Sequence, residues 1–171
     1  SLNWGDSGVR HLAERLEVPY LRYASESDLG DSVTLDSLDF TVRNIKDRGF
    51  TVSFDAYQGA RCLGAVTLPI PGGYNAANAA GALSVLLGGV GLDFERVQPA
   101  LNTYQGLENR FTVRRAQGVT IVKDYLSHPT GMKKVLDSAQ RFDHERIWCV
   151  FKPYRFTLMR YHGRDYAEAF L

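Results

Sequence analysis

Asp124, Tyr125 and His128 fall within one short run, VTIVKDYLSHPTGMKKVL, from Val119 to Leu136. A carboxylate, a phenol and an imidazole are polar groups able to hydrogen-bond a ligand. Val119 to Val122, rich in β-branched types, reads as a buried strand. Lys123 to His128 is polar and irregular, and Pro129 suits the first turn of a helix. Met132, Val135, Leu136 and Ala139 then recur at helical spacing, with Lys133, Lys134, Asp137 and Arg141 pointing elsewhere. The three polar residues are therefore expected between the carboxyl end of a strand and the amino end of a helix. Open α/β sheets bind ligands there, and a helix N-terminus favours anionic groups.

The elements that must hold this run follow from periodicity and turn residues. Asp6 or Ser7 can cap a first helix with Val9, Leu12, Ala13 and Leu16 on one face, ended by Pro19. PYLRYA, residues 19–24, reads as a short strand, and the polar stretch 25–37 as a loop. Three strand-like runs follow, 39–47, 49–57 and 62–70, joined at Asp47-Arg48-Gly49 and Tyr57-Gln58-Gly59-Ala60, so an antiparallel meander is predicted. Ala76, Ala79, Ala80, Leu83 and Leu87 share a helix face whose small residues allow close backbone approach, and Gly88-Gly89 stops it. A further helix is expected near Asp93, with Phe94, Val97 and Leu101 inward and Pro99 limiting it. Gln105-Gly106 reads as a hinge. Beyond it come a hairpin turning at Ala116-Gln117-Gly118, the helix after Pro129, and IWCVF (147–151), a continuous apolar run expected as a buried parallel strand. Strand, helix and strand in that order predict a right-handed βαβ unit.

The chain has 171 residues, 44% of them hydrophobic and 23% charged, with a net charge of +1. That is the composition of a globular protein, with no global field to attract nucleic acid or an anionic membrane. No apolar run approaches a membrane span. Cys62 and Cys149 show no CxxC spacing and are expected as reduced, buried thiols in a cytoplasmic protein. Residues 1–3 hold no strand except at Leu2, and a helix begins at Arg164 without a stop signal. Such ends are expected of a piece of a longer protein.

Five stretches, in order, carry a family resemblance. LPIPGGYNAANAAGAL resembles the Gly-His-Asn-x-x-Asn-Ala-x-x-Ala segment of the Mur ligases. YQGLENRF resembles the Phe-Gly-Val-x-Arg-Arg-Phe linker of the branch that joins L-alanine to UDP-N-acetylmuramate. IVKDYLSHPTGMKKVL is similar to that branch's DDYAHHPTEI segment, VFKPYRFT to its FQPHRYTR, and NWGDSG to its NADDPG. The resemblance implies an α/β fold in two parts. Residues 1–107 would be the end of a central ATP-binding domain carrying the meander, and 108–171 the start of a Rossmann-like C-terminal domain. It implies a cytoplasmic enzyme that activates a carboxylate with ATP and Mg²⁺ and joins it to an amino acid in peptidoglycan precursor synthesis. The partners would be a UDP-linked sugar and an amino acid, with neither nucleic acid nor membrane.

By the resemblance, Asn75, Arg110 and Asp124 would contact the nucleotide, and Tyr125, His128 and Arg155 the amino-acid side. Other readings stay open. Asn75 and Asn78 could cap or bond a helix, Arg110 and Arg155 could be surface arginines, and Asp124 and His128 could cap their own turns. Asp6 is read as a cap first, beside Asn3 in the same turn. Tyr74, Lys123, Ser127, Tyr154 and Leu158 depart from the family's residues, which keeps open a paralogue that binds without chemistry. The chain contains no G-x-x-x-x-G-K-[ST] phosphate loop, and Gly72-Gly73 and Gly88-Gly89 lack its lysine. That loop and the Mg²⁺ ligands are expected upstream of Ser1, so these residues alone are expected to be inactive.

Overall fold

The computed structural model describes residues 1–30 and 33–171; Asp31 and Ser32, inside the polar stretch 25–37, lie outside the described residues. The chain forms two compact units, Ser1–Tyr104 and Gln105–Leu171.

The first unit is built on a five-stranded sheet in sequential order, β1 (Leu2–Asn3), β2 (Arg22–Ser25), β3 (Phe40–Asp47), β4 (Val52–Gln58) and β5 (Arg61–Leu68). β1, β2 and β3 run parallel, and β3, β4 and β5 form the expected antiparallel meander. Alternate residues of the meander, Phe40 and Val42, Val52, Phe54 and Ala56, Val66 and Leu68, turn to one face. There they meet Ala76, Ala79, Ala80 and Leu83 of α2 (Tyr74–Leu83), and Phe94 and Val97 of α3 (Phe94–Asn102). The small residues of α2 do bring backbone close to the sheet. A π-helical turn, Ser84–Gly89, continues α2, and a Cβ on Gly88 would sit 2.6 Å from Leu21 and 2.8 Å from Phe40. Only glycine fits that approach.

The first helix departs from expectation. α1 (Ser7–Ala13) starts as predicted, with Asp6 accepting from the Val9 amide at 2.9 Å, but it stops well short of Pro19. Only Ala13 is buried on it, and Leu12 is 53% exposed. The apolar spacing was there, but among the described residues the face is covered only at Ala13 and in part at Val9.

The second unit opens with a hairpin, β6 (Thr112–Ala116) and β7 (Val119–Lys123), in full antiparallel register. Gln117 and Gly118 both have positive φ, 51° and 77°, as a two-residue primed turn requires. α4 (Pro129–Ala139) begins at the predicted proline, and α5 (Phe156–Ala169) packs against it. Met132, Phe111 and Tyr166 are its buried centres.

Three expectations fail here. Residues 147–151 form no strand, so no βαβ unit is closed, and Val150 is 97% exposed. β7 is not buried either, since Val119 and Ile121 stand largely in solvent. A strand is stabilised by ladder partners and a covered face, and among the described residues β7 pairs with β6 alone while 147–151 pairs with nothing. Both cysteines are free but exposed rather than buried: Cys62 lies on the open end of β5 and Cys149 in the unpaired 147–151 run.

Candidate functional site

The end of β7 and the segment before β6 are tied together by backbone and one carboxylate. The Tyr125 amide donates to the Asn109 carbonyl at 2.8 Å, and the Phe111 amide donates to Asp124 Oδ2 at 2.8 Å. These bonds hold an unusual backbone. Asn109 and Phe111 have φ of 60° and 46°. Asparagine tolerates the left-handed region, but a bulky aromatic there is strained. Burial of the Phe111 ring, packed edge-on against Phe142 at 5.8 Å, helps to hold it.

Asp124 is accordingly a buried group, its side chain only 9% exposed. Oδ1 has no hydrogen-bond partner and lies 3.9 Å from the Arg110 guanidinium. That separation gives attraction without a hydrogen bond. Burial pushes the Asp124 carboxyl above its ordinary value of 3.8; the Phe111 amide, the Arg110 charge and the Tyr125 amide pull the other way and do not cancel it. A half-satisfied buried carboxylate of this kind is suited to accept a hydrogen bond from a hydroxyl or amine. Its burial and its bond to the Phe111 amide give Asp124 a part in the fold of this unit. It does not cap the next turn; it anchors the segment before β6. The signal for that anchor was not in the motif, because it depends on a positive φ at Phe111.

Arg110 is 59% exposed, with a long contact of 3.4 Å to the Tyr125 carbonyl, so its guanidinium remains largely available. Asp124, Tyr125 and Arg155 line one open cleft of about 1770 Å³, with Met132 of α4 and Trp148 and Phe151 of the irregular segment. Its apolar lining includes the unpaired run 147–151. Tyr125 is 68% exposed, its ring 6.2 Å from that of Tyr154. Arg155 sits at the N-cap position of α5 without capping it, its guanidinium 5.7 Å from the Tyr154 ring.

His128 does cap α4: its Nδ1 accepts from the Thr130 amide at 3.3 Å. It is exposed beside the cleft rather than in its lining.

Asn75 lies in the first unit, in the first turn of α2, and is not the N-cap; Gly73 is. Its Nδ2 donates to the Pro71 carbonyl at 2.8 Å, and its Oδ1 accepts from Asn78 Nδ2 at 3.0 Å. The Gly73 amide at the cap donates to Asp47 Oδ2 at 2.8 Å. Sequence reasoning passed over Asp47 as a turn residue, because its bond to Gly73 spans 26 positions and has no local signal. The structure thus brings Arg110, Asp124, Tyr125 and Arg155 into one unit, with His128 nearby, and holds Asn75 in the other. No group of three or more His, Cys, Asp or Glu side chains among the described residues could hold a metal.

No protein-family model matches the chain. Curated relatives do. The UDP-N-acetylmuramate–L-alanine ligase of Pelotomaculum thermopropionicum is 31% identical over 166 residues, 96% of this chain and 34% of the relative. That of an Anaeromyxobacter species is 33% identical over 163 residues, 95% of this chain and 33% of the relative. Among solved structures, the UDP-N-acetylmuramate–alanine ligase of Thermotoga maritima shares the fold with a TM-score of 0.67 at 20% identity, over 87% of this chain and 31% of its own. The chain spans about a third of the length of the curated relatives it matches.

Proposed function

We propose that this chain, a homologue of the Mur ligases in sequence and fold, works within a cytoplasmic ATP-dependent ligase that joins an amino acid to a UDP-linked sugar carboxylate. On this reading residues 1–107 belong to the central ATP-binding domain and 108–171 to the C-terminal domain, and L-alanine is the amino acid of the curated relatives' names. The observation that carries the reading is the buried, unpartnered Asp124 Oδ1 beside the Arg110 guanidinium, at the strand end where the family motif places nucleotide contacts.

ATP fits these residues as a ligand. A ribose hydroxyl can donate to Asp124 Oδ1, and Arg110 can grip phosphate oxygens. When bound, ATP supplies the phosphoryl group that activates the substrate carboxylate toward an amine. Arg155 and the His128 Nε2–H offer a cation and a donor for an amino-acid carboxylate, and Tyr125 offers a phenol on the cleft wall. Among the described residues no group of three or more His, Cys, Asp or Glu side chains is placed to hold Mg²⁺ by itself.

The test is steady-state, amino-acid-dependent phosphate release by the protein at its natural length. A charged hydrogen bond is worth about 1.5–3 kcal/mol, so Asp124→Asn and Arg110→Ala should each slow turnover by roughly ten-fold to a hundred-fold. Wild-type rates in both variants would remove the nucleotide assignment. No amino-acid-dependent phosphate release even before substitution would favour a paralogue that binds without chemistry.

A further inference from the structure

The histidine that caps α4 is held from a second side. The Nδ1–amide bond to Thr130, at 3.3 Å, is longer than the usual value of about 2.9–3.0 Å, so the cap by itself would let the imidazole swing. α5 reaches the same place twice. Tyr166, buried, donates its hydroxyl proton to the Ser127 carbonyl. One turn earlier, the His162 ring meets the His128 ring edge to face, with centroids 4.9 Å apart and planes at 60°.

His162 is also where α5 breaks. Its φ of −119° and ψ of 19° are not helical, although residues on both sides continue the helix. Such a break needs a compensating contact. Here His162 Nδ1 lies 2.8 Å from Asp165 Oδ2, while neighbouring Arg164 is engaged with Glu168 at 2.8 Å and leaves Asp165 to the histidine. The kink, the hydrogen bond between His162 and Asp165 and the ring contact all lie beside His128. Nothing in the family resemblance points to position 162.

We propose that His162, held by Asp165, is a positioning residue that fixes the imidazole of His128 with Nδ1 turned to the α4 backbone and Nε2–H left as a donor for the substrate's carboxylate. The ring nitrogen that accepts the Thr130 amide cannot carry a proton, so the proton resides on Nε2. An imidazole free to rotate would spend part of its time with the wrong nitrogen outward; the edge-on His162 ring blocks that rotation. The substrate part of this inference rests on the ligase reading above, and the ring geometry does not.

The experiment uses the natural-length protein labelled with ¹⁵N at histidine, and long-range ¹H–¹⁵N spectra to read each ring's tautomer. His128 should show a single Nε2–H pattern. In His162→Ala, and in Asp165→Ala at an exposed site where folding is not at stake, His128 should move toward a mixture of tautomers. In the same variants KM for the amino acid should rise about five-fold, the worth of one neutral hydrogen bond, with KM for ATP and the thermal midpoint unchanged. A His128 spectrum in His162→Ala identical to the unsubstituted one overturns the proposal. If the unsubstituted protein shows no amino-acid-dependent turnover, the ligase reading falls, and the spectra still decide whether His162 holds the ring.

Discussion

Asp124→Ala and Asp124→Asn should separate sharply in stability, because the two oxygens of this carboxylate carry different loads. Oδ2 accepts the Phe111 amide at 2.8 Å. Alanine leaves that amide without its acceptor, which costs about 1–3 kcal/mol. The same bond helps to hold Phe111 at a φ of 46°, and left-handed backbone in a non-glycine residue costs roughly 1–2 kcal/mol. Without the anchor the segment can relax out of that conformation only by withdrawing the buried Phe111 ring. That strain is carried by parent and variant alike, so alanine should destabilise the second unit by about 1–3 kcal/mol. Asparagine keeps an oxygen for the Phe111 amide and removes the buried charge, but places an amide nitrogen at the Oδ1 position facing Arg110. These effects oppose each other, and the variant should fall within about 1 kcal/mol of the parent.

The pH dependence has a definite sign. The folded carboxyl titrates above its ordinary value of 3.8 because it is buried. Its contribution to stability is therefore fully present below about pH 3.8 and is lost as pH rises through the raised folded value. Asparagine has no such titration, so its stability relative to the parent should improve as pH rises through that window. Urea unfolding followed by circular dichroism at several pH values measures both effects, and hydrogen exchange at the Phe111 amide isolates the anchor. An Asp124→Ala protein as stable as its parent, with the Phe111 amide equally protected, would refute the reasoning.

Arg110→Ala should change stability by less than about 0.5 kcal/mol, as expected for an exposed charge, yet raise the Asp124 pKa further; a ¹³C-detected carboxyl titration checks the direction. Asn75→Ala removes a bond to Pro71 and one from Asn78, and should cost about 1–2 kcal/mol in urea unfolding of the first unit; no loss would mean that these bonds do not form in solution. Val150→Ser should leave the thermal midpoint unchanged because the side chain is 97% exposed. A loss of about 2–3 kcal/mol would instead indicate a buried strand at 147–151.

Much of the first unit was legible because its signals are local and agree with its packing. The alternation in 40–47, 52–58 and 61–68 has a helix to face, and the turns at Gly49 and Gly59 carry the positive φ that their sequence advertised. The hairpin turn at Gln117-Gly118 and the start of α4 at Pro129 were legible for the same reason. Where reading failed, an apolar pattern was taken as proof of a covered face. Leu12 on α1, Ile121 on β7 and the run 147–151 all have the composition of buried elements, and their exposure is decided by what lies opposite, which periodicity cannot reveal. The candidate site divides in the same way. The motif named Asp124, Arg110 and His128 as ligand contacts, with the cap at His128 among the readings left open. The Phe111 anchor and the His162 contact join residues 13 and 34 positions apart through a strained φ and a broken helix, features without a local sequence code.

Asn75 and Asp124 also differ in what they hold in reserve. The Asn75 carboxamide is fixed by one bond through its nitrogen and one through its oxygen, leaving a single N–H and a lone pair in a set orientation. It is oriented already, and a ligand adds contacts to a group that is satisfied without it. Asp124 is not satisfied. One oxygen secures the chain and the other is buried without a donor, so its ionised form is disfavoured as it stands. A ligand hydroxyl donating to Oδ1 would stabilise that ionised form and lower the carboxyl's pKa. Binding would thus also strengthen the acceptor that holds the Phe111 amide, since a carboxylate accepts more strongly than a protonated acid. On the proposed reading, nucleotide contact and order in the segment before β6 are then thermodynamically coupled through one side chain. Asparagine at this position could preserve the fold while abolishing the coupling.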